Sequence, residues 1–252
     1  MKIISFGGVG GCDIPQSIQR IMPTIRYPYD WILADQKFVM RTLINNNEFF
    51  NFTDKTKIIG KTVIVNELDG MSIHDFSDTF DENNYNIITD DINKKYHRRF
   101  TRLNEALKCE EPILFIRIAN NTPQLKEWEK IFNSEPDNFP KWVEFIQYLN
   151  DFYKKPIYLL IITKNEEEYN IYKCLENKDI SINYINDKIK DNLENYHHVL
   201  SNVINDAYKF FENKHFFIHL NIGKIMENLN NYHHVLSNVI NGFYTKININ
   251  NC

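Results

Sequence analysis

The sequence lacks several features that would assign it at once to a class of protein. No apolar run in its 252 residues reaches the roughly 20 residues that a membrane-spanning helix needs. It also has no excess of positive charge, since 29 Lys and Arg stand against 33 Asp and Glu and the net charge is −4. Nucleic-acid-binding domains are normally basic. We therefore expect neither a nucleic acid nor a membrane as partner.

Cysteine is scarce as well. The four cysteines, Cys12, Cys109, Cys174 and Cys252, lie far apart and form no CxxC pair, which excludes a zinc-finger pattern and argues against a disulfide framework. The first six residues turn to glycine too soon to form a signal peptide. We expect an intracellular protein with free thiols and with neither a metal nor another cofactor.

Glycine is concentrated at one place, residues 7–11 (GGVGG), between an apolar strand and a helix that Asp13 can cap. A dinucleotide-binding fingerprint would need a glycine at Asp13, and a phosphate-binding P-loop would need a Gly-Lys-Ser/Thr sequence. Neither pattern is present. Two alternatives stay open: a cradle for an anion formed by the backbone N–H groups of Gly10 and Gly11, and a turn without a ligand.

Two continuous apolar segments, residues 112–118 and 157–163, have the length and composition of strands buried on both faces. Helical patterns separate the apolar segments, including residues 92–107, 122–132 and 140–153. This alternation predicts an α/β fold with a mostly parallel, open sheet and helices on both faces.

The last third of the chain contains an internal copy. Residues 192–205 recur as residues 228–241, with Glu194 replaced by Asn230 as the single difference. Two identical helices cannot occupy one slot in a core, so we expect the first copy to pack natively. The predicted organisation is one α/β domain over residues 1–222, with a last strand at residues 216–220, and an appendage over residues 223–252.

Cys12 is the strongest candidate for a reactive group, because it follows a strand and precedes a helix. The unpaired N–H groups and the dipole at a helix start favour the thiolate, the reactive form of cysteine. A nucleophilic thiol also needs a base, and His74, with Asp75 beside it, is the best histidine for that role. The alternative is that Cys12 is a small buried apolar residue.

Arginines form a second group of candidates. Arg98, Arg99 and Arg102 occupy little more than one helical turn, a spacing suited to clamping a carboxylate or phosphate. The alternative is a solvated helix face. Arg117 stands at the end of a buried strand, and open α/β sheets bind ligands at the carboxyl ends of their strands.

Six blocks of the sequence form one ordered pattern: residues 4–7 (ISFG), Cys12, residues 27–32 (YPYDWI), 74–76 (HDF), 98–103 (RRFTRL) and 113–117 (ILFIR). Taken together, they resemble a family classified as papain-like cysteine peptidases, with members in bacteria and large DNA viruses. The resemblance covers about residues 3–165. The sequence departs from the family pattern in two ways: it has extra glycines before Cys12, and it has Tyr29 where phenylalanine is usual.

The resemblance implies a cysteine-dependent hydrolase in which Cys12 is the nucleophile and His74 the base. Asp30 or Asp75 would orient the histidine, and the substrate would be a peptide or a small anionic molecule. The strand–helix alternation favours an open α/β sheet over the papain-like α+β fold, which stays as the alternative.

Two other functions remain open. In a sugar- or nucleotide-phosphate-handling α/β enzyme, the glycine turn and the three arginines would hold the phosphate while Cys12 merely packs. In a catalytically inactive viral interaction protein, the duplicated helix would be the binding element.

Overall fold

The computed structural model describes residues 1–8, 13–23, 25–44, 57–59, 62–65, 70–72, 85–119, 136–185 and 193–223. The chain divides into two compact units, Met1–Phe211 and Glu212–Cys252. The described elements, in chain order, are β1 (Lys2–Gly8), α1 (Asp13–Gln19), a 3-10 helix (Pro28–Trp31), β2 (Ile32–Leu33), α2 (Gln36–Ile44), β3 (Lys57–Ile59), β4 (Thr62–Val65), β5 (Gly70–Ser72), α3 (Tyr85–Lys108), β6 (Ile113–Ile118), α4 (Phe139–Tyr153), β7 (Ile157–Thr163), α5 (Glu166–Tyr172), a second 3-10 helix (Lys173–Leu175), β8 (Ile180–Tyr184) and α6 (Leu193–Gly223).

The first sheet is entirely parallel, with strand order β1-β6-β7-β8. Every residue of β6 and β7 is buried, which explains their unbroken apolar sequences: such strands have no solvent face to alternate with. The connections from β6 to β7 and from β7 to β8 contain α4 and α5. The predicted α/β fold with an open parallel sheet and surrounding helices is confirmed.

Alternate side chains of the parallel sheet feed two separate cores. On one face, Phe6, Phe115 and Leu159 pack with residues of α2, α3 and α4. On the other face, Ile116 and Leu160 pack with residues of α1 and α6. The period-two alternation of a strand thus covers both faces of the sheet with helices.

A second sheet is antiparallel, with strand order β2-β5-β4-β3. The sequence predicted one of its strands, residues 61–65, of which Thr62–Val65 forms β4. The other three strands are only two or three residues long, too short to show a period. The long α3 follows this sheet and leads the chain back to β6, the neighbour of β1.

Side-chain caps fix the starts of α2 and α4. Asp35 Oδ1 accepts a hydrogen bond from Phe38 N at 2.6 Å, and Asn138 Oδ1 accepts one from Lys141 N at 3.0 Å. The two helix starts are also tied to each other: Gln36 Nε2 donates to Asn138 O at 2.8 Å, and Asn138 N donates to Gln36 Oε1 at 2.9 Å. Asx side chains at these positions satisfy the free N–H groups of a first turn.

The first copy of the repeat lies in α6, where Tyr196, Leu200 and Ile204 are buried in the second core. The strand predicted at residues 216–220 is wrong, because α6 continues through them as helix to Gly223. A short apolar run does not by itself distinguish strand from helix, and neither Gly nor Pro interrupts this one. The helix predicted at residues 122–132 and the second repeat copy lie outside the described residues.

Despite its 31 residues, α6 is not apolar enough to cross a membrane, and neither is any other helix within the described ranges.

Candidate functional site

The carboxyl end of β1 requires glycine. Gly7 has φ +67° and Gly8 has φ +108°, both in the region that side chains disfavour. A Cβ atom on Gly8 would lie 2.1 Å from Ile118 O, and one on Gly7 would lie 2.8 Å from Ile32 O. Glycine at both positions therefore allows the backbone at the end of β1 to lie in close contact with β6 on one side and with β2 on the other.

Ile32 links the end of β1 to the second sheet. It opens β2 and pairs with Ser72, the last residue of β5, in antiparallel register. The chain beyond Ser72 thus departs at the place where the 3-10 helix Pro28–Trp31 ends. Three described points, Gly7, Ile32 and Ser72, consequently meet at one corner of the protein.

Asp30, in the 3-10 helix, is a buried carboxyl group with 3% of its surface exposed. Its Oδ2 accepts a hydrogen bond from Tyr27 N at 2.8 Å, which holds the turn closed. Burial raises the pKa of Asp30 to about 6, although the Tyr27 N–H group and the nearby Arg99 and Arg26 guanidinium groups act to lower it. The pKa of Asp30 therefore lies well above the ordinary value of 3.8 for an aspartate.

Tyr29, the residue before Asp30, is fully buried, with its ring edge-on to Phe6, Phe38 and Phe100. Its hydroxyl lies 2.6 Å from Thr42 Oγ1. A buried hydroxyl needs a hydrogen-bond partner, and Thr42 is the partner of Tyr29. The phenylalanine that is usual at this position in the family pattern has no hydroxyl and needs no such partner.

Arg117 is fully buried, and its guanidinium group donates hydrogen bonds to other protein atoms. Nε and Nη2 donate to the two carboxylate oxygens of Asp137, each at 2.8 Å. Nη1 donates to Phe6 O at 3.1 Å and to Ala34 O at 2.6 Å. Four of the five N–H donors are thus used, and the guanidinium joins β1, β6, the chain after β2 and the residue before Asn138. The prediction that Arg117 holds a substrate anion is untested; in this structure the anion it holds is Asp137.

The predicted arginines of α3 have a different environment. Arg98 and Arg102 are exposed, whereas Arg99 is half-buried with its guanidinium over the Tyr96 ring. Arg102 Nη1 donates to Arg26 O at 3.4 Å, which brings this face of α3 to the chain before the 3-10 helix.

Two further cations join them and were missed from the sequence. Lys95 is half-buried on α3, where burial, Arg99 and Arg98 lower its pKa to about 8. Arg26 lies with its guanidinium over the Trp31 ring, 5.2 Å from the centroid. Lys95 was recognisable from its spacing, four residues before Arg99; Arg26 is brought in by the fold.

The remaining predicted site residues, Cys12, His74, Asp75, Gly10 and Gly11, lie outside the described residues. Their roles stay predictions. Of the predicted orienting carboxylates, Asp30 is the one that the structure describes.

A family model described as "Putative papain-like cysteine peptidase" matches residues 1–138. The match spans β1 to the start of α4 and includes Arg117 together with its partner Asp137. No curated protein and no solved structure matches the chain. Because the family model covers more than half of the 252 residues, the chain belongs to this family of papain-like cysteine peptidases, a hydrolase class.

Proposed function

We propose that the protein is a cysteine-dependent hydrolase in which Cys12 is the nucleophile and His74 is its base. The observation that carries the proposal is the corner formed by Gly7, Ile32 and Ser72, because the two chain segments that hold Cys12 and His74 depart from it. Membership of the peptidase family supports the same reaction class.

Chain length allows the two side chains to approach each other. Cys12 is four residues beyond Gly8 and is bonded to Asp13, the first residue of α1, while His74 is two residues beyond Ser72. At about 3.5 Å per extended residue, the two segments reach up to about 14 Å and about 7 Å from the corner. A thiol–imidazole contact is well within that reach.

The location agrees with the chemistry of open α/β sheets. Gly8 and Ile118 are paired at the carboxyl ends of β1 and β6. Ligands bind beyond this edge of a parallel sheet, where the strand ends and their loops converge. Cys12 follows β1 in the sequence, and β1 ends at this edge, which supports the choice of Cys12 as the nucleophile.

In the proposed reaction, His74 takes the proton of the Cys12 thiol, and the thiolate attacks the carbonyl carbon of an amide or ester. The tetrahedral intermediate collapses to an acyl thioester on Cys12, and the leaving group departs with the proton from His74. Water, deprotonated by His74, then hydrolyses the thioester and regenerates the thiol.

Asp30 and Asp75 are the two candidates for the group that orients His74. Asp75 is its neighbour in sequence. Asp30 is buried beside the same corner, and its Oδ2 already accepts the Tyr27 N–H hydrogen bond. A carboxylate in either position favours the imidazolium that forms during the reaction.

Turnover tests the assignment directly. The full chain is incubated with a pool of peptides, and new amino termini are quantified by mass spectrometry for wild type and for the Cys12→Ala and His74→Ala variants. Cys174→Ala is the matched control, since Cys174 is an exposed thiol. We expect cleavage to be lost without Cys12 or His74 and kept without Cys174. Cleavage that survives in Cys12→Ala contradicts the mechanism.

A further inference from the structure

Four cations of α3 form one row, which we call the basic stripe: Lys95, Arg98, Arg99 and Arg102. Residues three, four and seven positions apart lie on the same side of a helix. Like charges at these separations repel each other and destabilise a helix in isolation. The stability of α3 therefore does not explain why these four cations lie in one row.

The arginines of the stripe lack a close carboxylate partner among the residues that the structure describes. Among the described residues, none forms an ion pair with Arg98, Arg99 or Arg102. Arg99 Nη1 is buried, yet it has no hydrogen-bond partner in the part of the chain that the structure describes. A buried donor without a partner is costly, so its place in a native fold suggests a ligand.

Two arginines of the stripe, Arg99 and Arg102, lie near the 3-10 helix that carries Asp30. Arg102 binds the carbonyl of Arg26, and both Arg99 and Arg26 act electrostatically on the Asp30 carboxyl group. Arg26 thus adds a fifth cation beside the stripe. These arginines thus lie near the corner from which the chain segments with the proposed nucleophile and base depart.

We propose that the basic stripe and Arg26 bind the phosphate group of a small phosphorylated ligand, with Arg99 as its central contact. A carboxylate offers one negative charge and two oxygens, which a single guanidinium fork satisfies. A phosphate group carries nearly two negative charges and three acceptor oxygens, which suits several cations in one row. The identification of this ligand as the substrate rests on the proposed hydrolase function, whereas the binding of the ligand to the basic stripe does not.

Calorimetric titration of the full chain with inorganic pyrophosphate, at constant ionic strength, tests this site. The comparison ligand is a triglutamate peptide, which supplies carboxylates without phosphate. We expect saturable binding of pyrophosphate and weaker binding of triglutamate. No saturable binding of pyrophosphate, or tighter binding of triglutamate, overturns the proposal.

Variants then locate the site. Arg99→Gln removes the central guanidinium and is expected to weaken pyrophosphate binding about tenfold or more, because charge-assisted hydrogen bonds are lost. Lys108→Gln removes the same charge from an exposed position in the last turn of α3 and is expected to leave the affinity unchanged. Equal losses in the two variants indicate mere charge attraction and contradict the site.

Two more variants keep the outcome interpretable. Arg99→Lys keeps the positive charge but lacks the paired N–H donors of the guanidinium group, and it replaces Arg99→Gln if that variant does not fold. We expect Arg99→Lys to lose less pyrophosphate affinity than Arg99→Gln. Full affinity in Arg99→Lys contradicts the role of the guanidinium group. Cys12→Ala is expected to bind pyrophosphate as wild type does. Binding that persists in Cys12→Ala while no Cys12-dependent cleavage is found would refute the hydrolase and leave the phosphate site standing.

Discussion

Arg117 and the basic stripe place guanidinium groups in opposite situations. The Arg117 guanidinium is fully buried and gives four hydrogen bonds to protein acceptors, two of them to the Asp137 carboxylate. Arg99 lies half-buried next to other cations, with one buried nitrogen that no described residue accepts from. The first arrangement is complete without a ligand, whereas the second is not. The difference separates an arginine that holds the fold from arginines available to a ligand.

Removing Arg117 is expected to have the largest effect on stability. Arg117→Met leaves the Asp137 carboxylate buried without its guanidinium, which costs about 3–5 kcal/mol in the free energy of unfolding. Urea denaturation measures the loss. A loss of less than about 1 kcal/mol in the free energy of unfolding contradicts the structural role of the Arg117–Asp137 pair. Arg117 would then no longer differ from the stripe arginines in its importance for the fold.

The double variant Arg117→Met/Asp137→Leu sharpens that result. Because it removes both buried charges, we expect it to recover part of the stability lost in the single variant. A double variant that is as unstable as Arg117→Met shows that the hydrogen bonds to Phe6 O and Ala34 O, rather than the ion pair, carry the effect.

Asp30→Asn is expected to have an intermediate effect that depends on pH. The folded-state pKa of about 6 lies above the ordinary 3.8, so folding favours the protonated form, and stability falls as pH rises from about 4 to 6. The penalty is complete above pH 6 and is at most about 3 kcal/mol. Asn cannot ionise and still accepts the Tyr27 N–H hydrogen bond.

We therefore expect Asp30→Asn to match wild type near pH 4 and to be the more stable protein above about pH 6, as measured by urea denaturation at several pH values. Equal pH dependence of the two proteins contradicts the burial of an ionisable carboxyl group. Cleavage activity lost in the same variant, with stability gained, supports Asp30 over Asp75 as the orienting group.

The smallest expected effect is in the stripe. Arg98→Gln removes one exposed charge that repels Lys95 and Arg102, so it should raise the free energy of unfolding by about 0.5 kcal/mol. Lys108→Gln should have the opposite sign, because a cation in the last turn of a helix stabilises it. Thermal denaturation at low ionic strength compares them. Destabilisation by Arg98→Gln contradicts the idea that the stripe strains α3.

Much of the fold was predictable because it depends on local patterns. The parallel strands Ile113–Ile118 and Ile157–Thr163 consist almost wholly of apolar residues, which indicated strands buried on both faces. The antiparallel sheet was largely missed, because strands of two or three residues carry no period. The strand expected at residues 216–220 was wrong, since a helix that began in the repeat continues through it.

The candidate site was predictable only in part. The spacing of Arg98, Arg99 and Arg102 is visible in the sequence, and the family blocks singled out Asp30. The partner of Arg117 was not predictable, because Asp137 is 20 residues away and no local pattern joins the two residues. Likewise, only the fold brings Arg99 to Asp30 and joins Ile32 to Ser72.

The pH dependence of cysteine alkylation tests the central claim, the pairing of Cys12 with His74, most directly. The full chain is treated with iodoacetamide between about pH 5 and 9, and each cysteine is quantified by mass spectrometry. Cys174 is the exposed reference. Cys109 is an internal standard for a perturbed thiol: burial raises its pKa, but Lys2, whose Nζ lies 3.1 Å from Sγ, the Glu111 N–H group and the Lys155 charge together lower it below the ordinary value.

If Cys12 and His74 form a thiolate–imidazolium pair, Cys12 keeps reacting below about pH 7, where an ordinary thiol loses reactivity about tenfold per pH unit. His74→Asn should return Cys12 to the behaviour of Cys174. A Cys12 whose rate follows that of Cys174 at every pH, or does not change in His74→Asn, contradicts the account.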